Sequence, residues 1–236
     1  MKINIKELES TTISKLKNII KTNGKMEELN KNILKIGALS SGRGISFEAI
    51  IQATKTGLLK DKAAIEVLIC DKAKAHCMRI AKRHEIPSIL IESNKQKGCR
   101  EEFDKKMIEI LDRFECELIV LVGYMRLVSK MFINHFNGNV LNFHPSLLPS
   151  FKGMHAVTDA LAYGVKVSGA TIHFVDPEVD HGPIIIQKGV TVYKDDSWMT
   201  LGPRILSCGC EIFPKAVELF CDIKLQLVGR TVKILE

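Results

Sequence analysis

Asn142, His144 and Asp180 are the residues of this chain whose types and spacing could do chemistry. The first two stand in Leu141-Asn142-Phe143-His144-Pro145-Ser146-Leu147-Leu148-Pro149, the third in Val179-Asp180-His181-Gly182-Pro183. They supply a neutral hydrogen-bond donor, a group that titrates near neutrality, and an anion to orient or charge it. Acyl-type transfer needs such a set. An apolar run from Asn139 to Phe143 delivers the amide and the imidazole to the end of a strand, and Pro145 stops that strand from continuing. The two-residue spacing puts Asn142 and His144 on one side of the strand, with His144 expected on an exposed loop where its ring can meet a ligand. Asp180 shares its loop with Asp176 and Glu178, and by itself reads equally as a solvated acidic turn.

Two further loops could face the same place. Ser41-Gly42-Arg43-Gly44-Ile45-Ser46 lies between a strand and a helix, where glycines allow tight turning and a helix N-terminus offers free N–H groups to an anion. Its residues alone leave a phosphate site and an ordinary βα turn evenly matched. Ser46 is the expected N-cap, without the Glu or Gln three residues later that a capping box prefers. Gly123-Tyr124-Met125-Arg126-Leu127 follows the most apolar strand and should emerge at the cleft edge, where a flat ring could lie on it, although a plain connection explains it as well.

The elements that must position these loops alternate. Ile33–Leu39 reads as a strand, Ser46 to about Thr56 as a helix, Ile65–Cys70 as a strand and Lys72–His84 as a helix. Ser88–Ile91 follows as a strand and Arg100–Phe114 as a helix, with apolar positions at Phe103, Met107, Ile108, Leu111 and Phe114. Leu118–Val122 is apolar on both faces, as a central parallel strand covered by helices must be. The pattern predicts a doubly wound, mostly parallel α/β sheet with its cleft at the carboxyl ends of the strands. Gly169–Val175 and Ile184–Tyr193 follow one another without a long helix between them and read as antiparallel additions. A helix from about Leu201 to Cys221 and a strand near Thr231–Leu235 close the chain.

The 236 residues, 46% apolar and 26% charged, suffice for one sizeable core, expected over 33–236, with 1–32 as a lysine-rich extension holding at most a short amphipathic helix near Ile13–Ile20. No run of about 18 apolar residues and no signal-peptide pattern occurs, which points to a cytoplasmic protein without membrane contact. The seven cysteines are odd in number and scattered, which argues for reduced thiols, and Cys208-Gly209-Cys210 alone is weak evidence for a metal. Of the formal charge of +7, the first 31 residues supply seven lysines against four glutamates. The remainder is ordinary for a domain, and the basic residues lack interleaved aromatics, so nucleic-acid binding is not expected.

From Ile33 to about Asp222 the chain resembles the folate-dependent phosphoribosylglycinamide formyltransferases. The resemblance is carried by Ser41–Gly44, Gly123–Arg126, Asn142–Pro149, Gly153-Met154-His155, Gly169–Val175 and Asp180–Ile185. It implies that the amine of glycinamide ribonucleotide attacks the formyl carbon of 10-formyltetrahydrofolate, with no metal. Asn142 and protonated His144 would then stabilise the oxyanion, and Asp180 would hold that charge and help move protons through water. The resemblance further assigns Arg43, Gly44, Ile45 and Ser46 to the substrate phosphate. Arg100, Met125, Arg126, Leu127, Val128, Asn142, Asp176, Pro177, Glu178, Val179 and Asp180 are assigned to the folate. The chain departs from the family's Ser-Asn at Ile45-Ser46, and has Gly209 where the family has a ribonucleotide-contacting glutamate, with Glu211 two residues away as a substitute. Partners would be the ribonucleotide and reduced folate, in a monomer or homodimer. Rival assignments are a formyltetrahydrofolate deformylase, which normally carries a regulatory domain too large for 32 residues, and a folate- or nucleotide-binding module without catalysis.

Overall fold

The computed structural model describes residues 33–92 and 100–235. The proposed extension and its helix therefore lie outside the described residues. The chain runs β1 (Leu34–Ser40), α1 (Ile45–Thr56), β2 (Ala63–Cys70), α2 (His76–Arg83), β3 (Ser88–Leu90), α3 (Arg100–Arg113) and β4 (Leu118–Leu121). It continues through α4 (Lys130–His135), β5 (Val140–His144), α5 (Ala156–Tyr163), β6 (Val167–Phe174), β7 (Ile184–Thr191), α6 (Trp198–Cys221) and the hairpin β8 (Leu225–Val228) and β9 (Thr231–Ile234).

Seven strands form one sheet in the order β3-β2-β1-β4-β5-β6-β7, parallel through β5 and antiparallel from β5 to β6 and from β6 to β7. This is the expected doubly wound sheet with antiparallel additions. β4 is its middle strand and is buried along its whole length, as an all-apolar sequence requires. The strand order reverses between β1 and β4, so a crevice opens there at the carboxyl edge.

Alternation along the strands divides the core in two. Ile36, Ala38, Val120 and Leu141 pack on one face beneath Phe47, Ile50, Ile205 and Phe213 of α1 and α6. On the other face Leu39, Ile119, Leu121 and Val140 pack with Met107 and Leu111 of α3 and Phe132 of α4. In β5 this alternation sends Phe143 to the α1/α6 face, and Asn142 and His144 to the α3/α4 face.

Several boundaries differ from expectation. α2 starts at His76 rather than Lys72, because Lys72 to Ala75 form a turn closed by Ala75 N–H to the Lys72 carbonyl at 3.1 Å. The helices α4 and α5, of 6 and 8 residues, are too short for apolar periodicity to reveal, and β8 was not foreseen. Ser46 is not the N-cap. Gly44 is, with φ of 77°, and its carbonyl accepts the first helical bond from Glu48 N–H at 2.9 Å.

Candidate active site

β5 and β6 bring four polar side chains to one face of the sheet. Asn142 is paired directly with His173 across the antiparallel ladder, and His144 with Thr171. The Asn142 amide donates to His173 Nε2 at 3.2 Å, while His173 Nδ1 lies 2.7 Å from its neighbour Phe174's carbonyl. Those partners select the neutral Nδ1–H tautomer. Burial first, with a smaller opposing pull from the Phe174 carbonyl and Asp180, holds His173 below its ordinary pKa. Within the strand Gly169–Val175 nothing in the sequence singles out His173. The signal that could have found it is its place opposite Asn142, which appears only once the antiparallel register is known.

His144 does not stand on an exposed loop. It is the last residue of β5 and 3% exposed, because β6 pairs with it and the following loop folds back over it. Its Nε2 lies 2.8 Å from the Phe151 carbonyl and its Nδ1 3.2 Å from Asp180 Oδ2. Both partners are acceptors, so only the imidazolium, with two N–H groups, serves both at once. Asp180 also accepts from Gly153 N–H at 2.7 Å and lies 3.9 Å from His173. Burial pushes the Asp180 carboxyl up, but His144, the Gly153 N–H and His173 together outweigh it and hold the group below 3.8. The acidic-turn alternative thus gives way to a carboxylate aimed inward at two imidazoles.

The surrounding loops are tied down. Thr171 donates to the Ser146 carbonyl at 2.6 Å and accepts from Leu148 N–H at 3.1 Å, fixing the chain after His144. In the Asp180 loop, His181 Nδ1 meets Asp176 at 2.6 Å, and Arg230 from the β8–β9 turn donates to the His181 carbonyl and to its Nε2 at 2.9 Å. Gly182 cannot carry a side chain, since a Cβ there would lie 1.8 Å from the Phe174 carbonyl oxygen.

Over the carboxyl edge, on the α1/α6 face, lies a cavity of about 420 Å³ lined by Ser41 to Ser46, Lys72, Gly123, Met125, Phe143, His155, Trp198 and Leu206 among others. Arg43, Gly44, Ile45 and Ser46 therefore all reach one cavity, at the start of α1, where no side chain caps the helix. Ser41 Oγ accepts from Met125 N–H at 2.9 Å, which locks this loop to the 123–128 loop. Lys72 and His155 also line the cavity, and sequence reading had given neither a role.

The other expected site residues divide. Met125 and Leu127 are half-exposed at the edge, and the Arg126 guanidinium lies 4.1 Å over the Phe103 ring. Val128 is 8% exposed and its side chain belongs to the core, leaving only its backbone to a ligand. Pro177, Glu178 and Val179 are exposed on the loop whose ends are Asp176 and Asp180. Arg100 is exposed at the start of α3. Glu211 is the exception: it is exposed, ion-paired with Lys188, and not among the residues lining the cavity. Among the described residues no cluster of three or more His, Cys, Asp or Glu could hold a metal, six cysteines are free, and no helix is long and apolar enough to cross a membrane.

The chain is similar to known proteins in sequence and in fold. The sequence model described as Formyl transferase matches residues 34–217. A phosphoribosylglycinamide formyltransferase of Bacillus subtilis is 38% identical over 78% of this chain and 93% of its own length. The trifunctional purine biosynthetic protein adenosine-3 of Gallus gallus is 41% identical over 88% of this chain, which spans only 20% of that protein's length. Among solved structures, glycinamide ribonucleotide transformylase 1 from Symbiobacterium toebii superposes with a TM-score of 0.85 at 36% identity, covering 91% of this chain and 100% of its own. Sequence and fold place the chain in the formyl transferase family, among the phosphoribosylglycinamide formyltransferases.

Proposed function

We propose that the protein transfers the formyl group of 10-formyltetrahydrofolate to the amine of glycinamide ribonucleotide. The observation that carries this reading is the contact of His144 with Asp180, beside the Asn142 amide, while Phe143 and Pro145 on either side of His144 line the cavity at the start of α1. The amine nitrogen bonds to the formyl carbon, the carbonyl becomes an oxyanion, and the bond to folate N10 breaks as that nitrogen takes up a proton. Asn142 gives one N–H to His173 and keeps a second for the oxyanion. His144 adds a charged donor, exchanging its contact with Asp180 for the oxyanion as the oxygen arrives. Asp180, anionic across the neutral range, stabilises the imidazolium and takes part in moving the proton released by the amine.

Arg43 and the backbone of Gly44 to Ser46 hold the phosphate on the α1/α6 face. At the carboxyl edge and beyond it on the opposite face, Arg100, the 125–128 backbone and the Asp176–Asp180 loop hold the folate. Residues 33–236 act as the formyltransferase domain.

The test is tetrahydrofolate release from 10-formyltetrahydrofolate with and without glycinamide ribonucleotide. Release that requires the ribonucleotide is expected, and release without it would identify a deformylase instead. Asn142→Ala, His144→Ala and Asp180→Asn should each lower kcat by roughly 10²–10³ with folate affinity little changed. A variant with near-normal turnover would remove its residue from the mechanism.

A further inference from the structure

Cys70 and Cys77 form a buried dithiol beside the 41–44 loop. Cys70 is the last residue of β2 and Cys77 the second of α2, both are 0% exposed, and their sulfurs lie 3.6 Å apart. Sulfurs at that separation need to approach by only about 1.5 Å to reach the length of a disulfide. The hydrogen bond between the two thiols draws Cys77 down to about 6; burial opposes this, and Ser40 and the Met78 N–H at the start of α2 reinforce it. The same bond, with burial, holds Cys70 high. Burial pushes Cys116 and Cys221 up, to about 12 and about 11, so neither competes as a thiolate near neutrality.

Three residues that line the cavity touch this pair. The Gly42 carbonyl accepts from Cys77 N–H at 3.1 Å, and the Lys72 carbonyl accepts from the Cys70 thiol at 3.3 Å. Gly44 packs so closely that a Cβ on it would lie 2.8 Å from the Cys77 Cβ. His76, next to Cys77, has its Nδ1 3.0 Å from the Arg43 carbonyl. The start of α2 is thus fastened to the loop that leads into α1, and a shift of one is felt by the other. A small oxidant entering the cavity meets residues in direct contact with both cysteines.

We infer that hydrogen peroxide oxidises Cys70 and Cys77 to a disulfide that loosens the 41–46 loop and lowers its affinity for phosphate, the last step resting on the phosphate site proposed above. The Cys77 sulfur attacks one peroxide oxygen, the O–O bond breaks, and Cys77 sulfenic acid and water form. The Cys70 sulfur then bonds to the Cys77 sulfur, the S–O bond breaks, and the hydroxyl leaves with the Cys70 proton as a second water. Two electrons pass from the sulfurs to the peroxide. Drawing Cys77 towards β2 pulls on the Gly42 and Arg43 carbonyls and disturbs the contact with Gly44, so the N–H groups at the start of α1 lose their alignment.

The test begins with peptide mapping of the full chain by mass spectrometry after treatment with stoichiometric hydrogen peroxide. A 70–77 disulfide, reversed by dithiothreitol, is the expected first product. Oxidation of other cysteines with this pair still reduced would overturn the inference. Amide hydrogen exchange over residues 41–46 should be about fivefold faster in the oxidised chain, and equal exchange in the two forms would remove the coupling. Trp198 is the only tryptophan of the chain and lines the cavity, so its emission follows a titration with inorganic phosphate. The phosphate Kd should rise about tenfold on oxidation, and an unchanged Kd overturns the inference. Faster exchange with no phosphate binding by either form would instead sink the phosphate site and leave the oxidisable pair standing. Cys77→Ser should bind phosphate as the reduced wild type does, before and after peroxide. A loss after peroxide equal to that of the wild type would place the effect on another cysteine.

Discussion

His173 shows how much one side chain's surroundings decide. It is 2% exposed, hydrogen-bonded as a neutral ring, and kept below the ordinary histidine pKa of 6.5 by burial before any other cause. Unfolded, the same ring takes up a proton as pH falls through 6.5, while folded it resists. Its contribution to stability is therefore complete above that value and is lost as pH falls through the window below it. Asp180 stays ionised throughout that window, so its own loss comes only as pH falls below the ordinary carboxylate range. Replacing His173 by Asn removes this titration. The Tm advantage of the wild type over His173→Asn should accordingly shrink between about pH 7.5 and about pH 5.5 in thermal melts. A constant gap would mean that the ring is not held neutral.

At the scale of elements, the β8–β9 hairpin lies beyond residue 217, where the family match ends, yet its Arg230 grips His181, the residue after Asp180. Arg230→Ala should release the Asp176–Asp180 loop and raise KM for the folate roughly three- to tenfold with kcat nearly unchanged. Arg230→Lys should recover only part of this, since a point ammonium cannot serve the carbonyl and the ring together. Equal changes in kcat and KM, or full recovery by lysine, would contradict the clamp.

None of this grip was legible in the sequence, where Arg230 is one cation among many. The parallel half of the sheet was legible, because buried strands such as Leu118–Leu121 are apolar throughout and α1, α3 and α6 are long enough for their periodicity to show. Asn142 and His144 stand out as a pair from residue type and position, whereas Asp180 alone reads equally as a solvated acidic turn. The burial of His144, the role of His173 and the packing of Phe143 on Gly209 depend on which strand lies beside which, and local pattern does not encode that.

Across the whole molecule, the alternation of β5 turns Phe143 to one face and Asn142 and His144 to the other, and the proposed function puts the two ligands on those opposite faces. They meet only over the carboxyl edge. Glycinamide ribonucleotide and tetrahydrofolate should therefore stabilise the fold independently, and their free-energy contributions in thermal-shift titrations should add within about 0.5 kcal/mol. A large departure from additivity would place the two ligands in one shared pocket.

The pairing of Asn142 with His173 also bears on how such a gene can change. Residues 164 to 166, between α5 and β6, can gain or lose codons without altering which residues face each other, provided the strands re-pair in place. A single-codon deletion inside β6 upstream of His173 cannot be absorbed in that way. It would bring the histidine to the opposite face and set Phe174 before the amide. Insertions and deletions should thus accumulate in the connection and be purged from the strand.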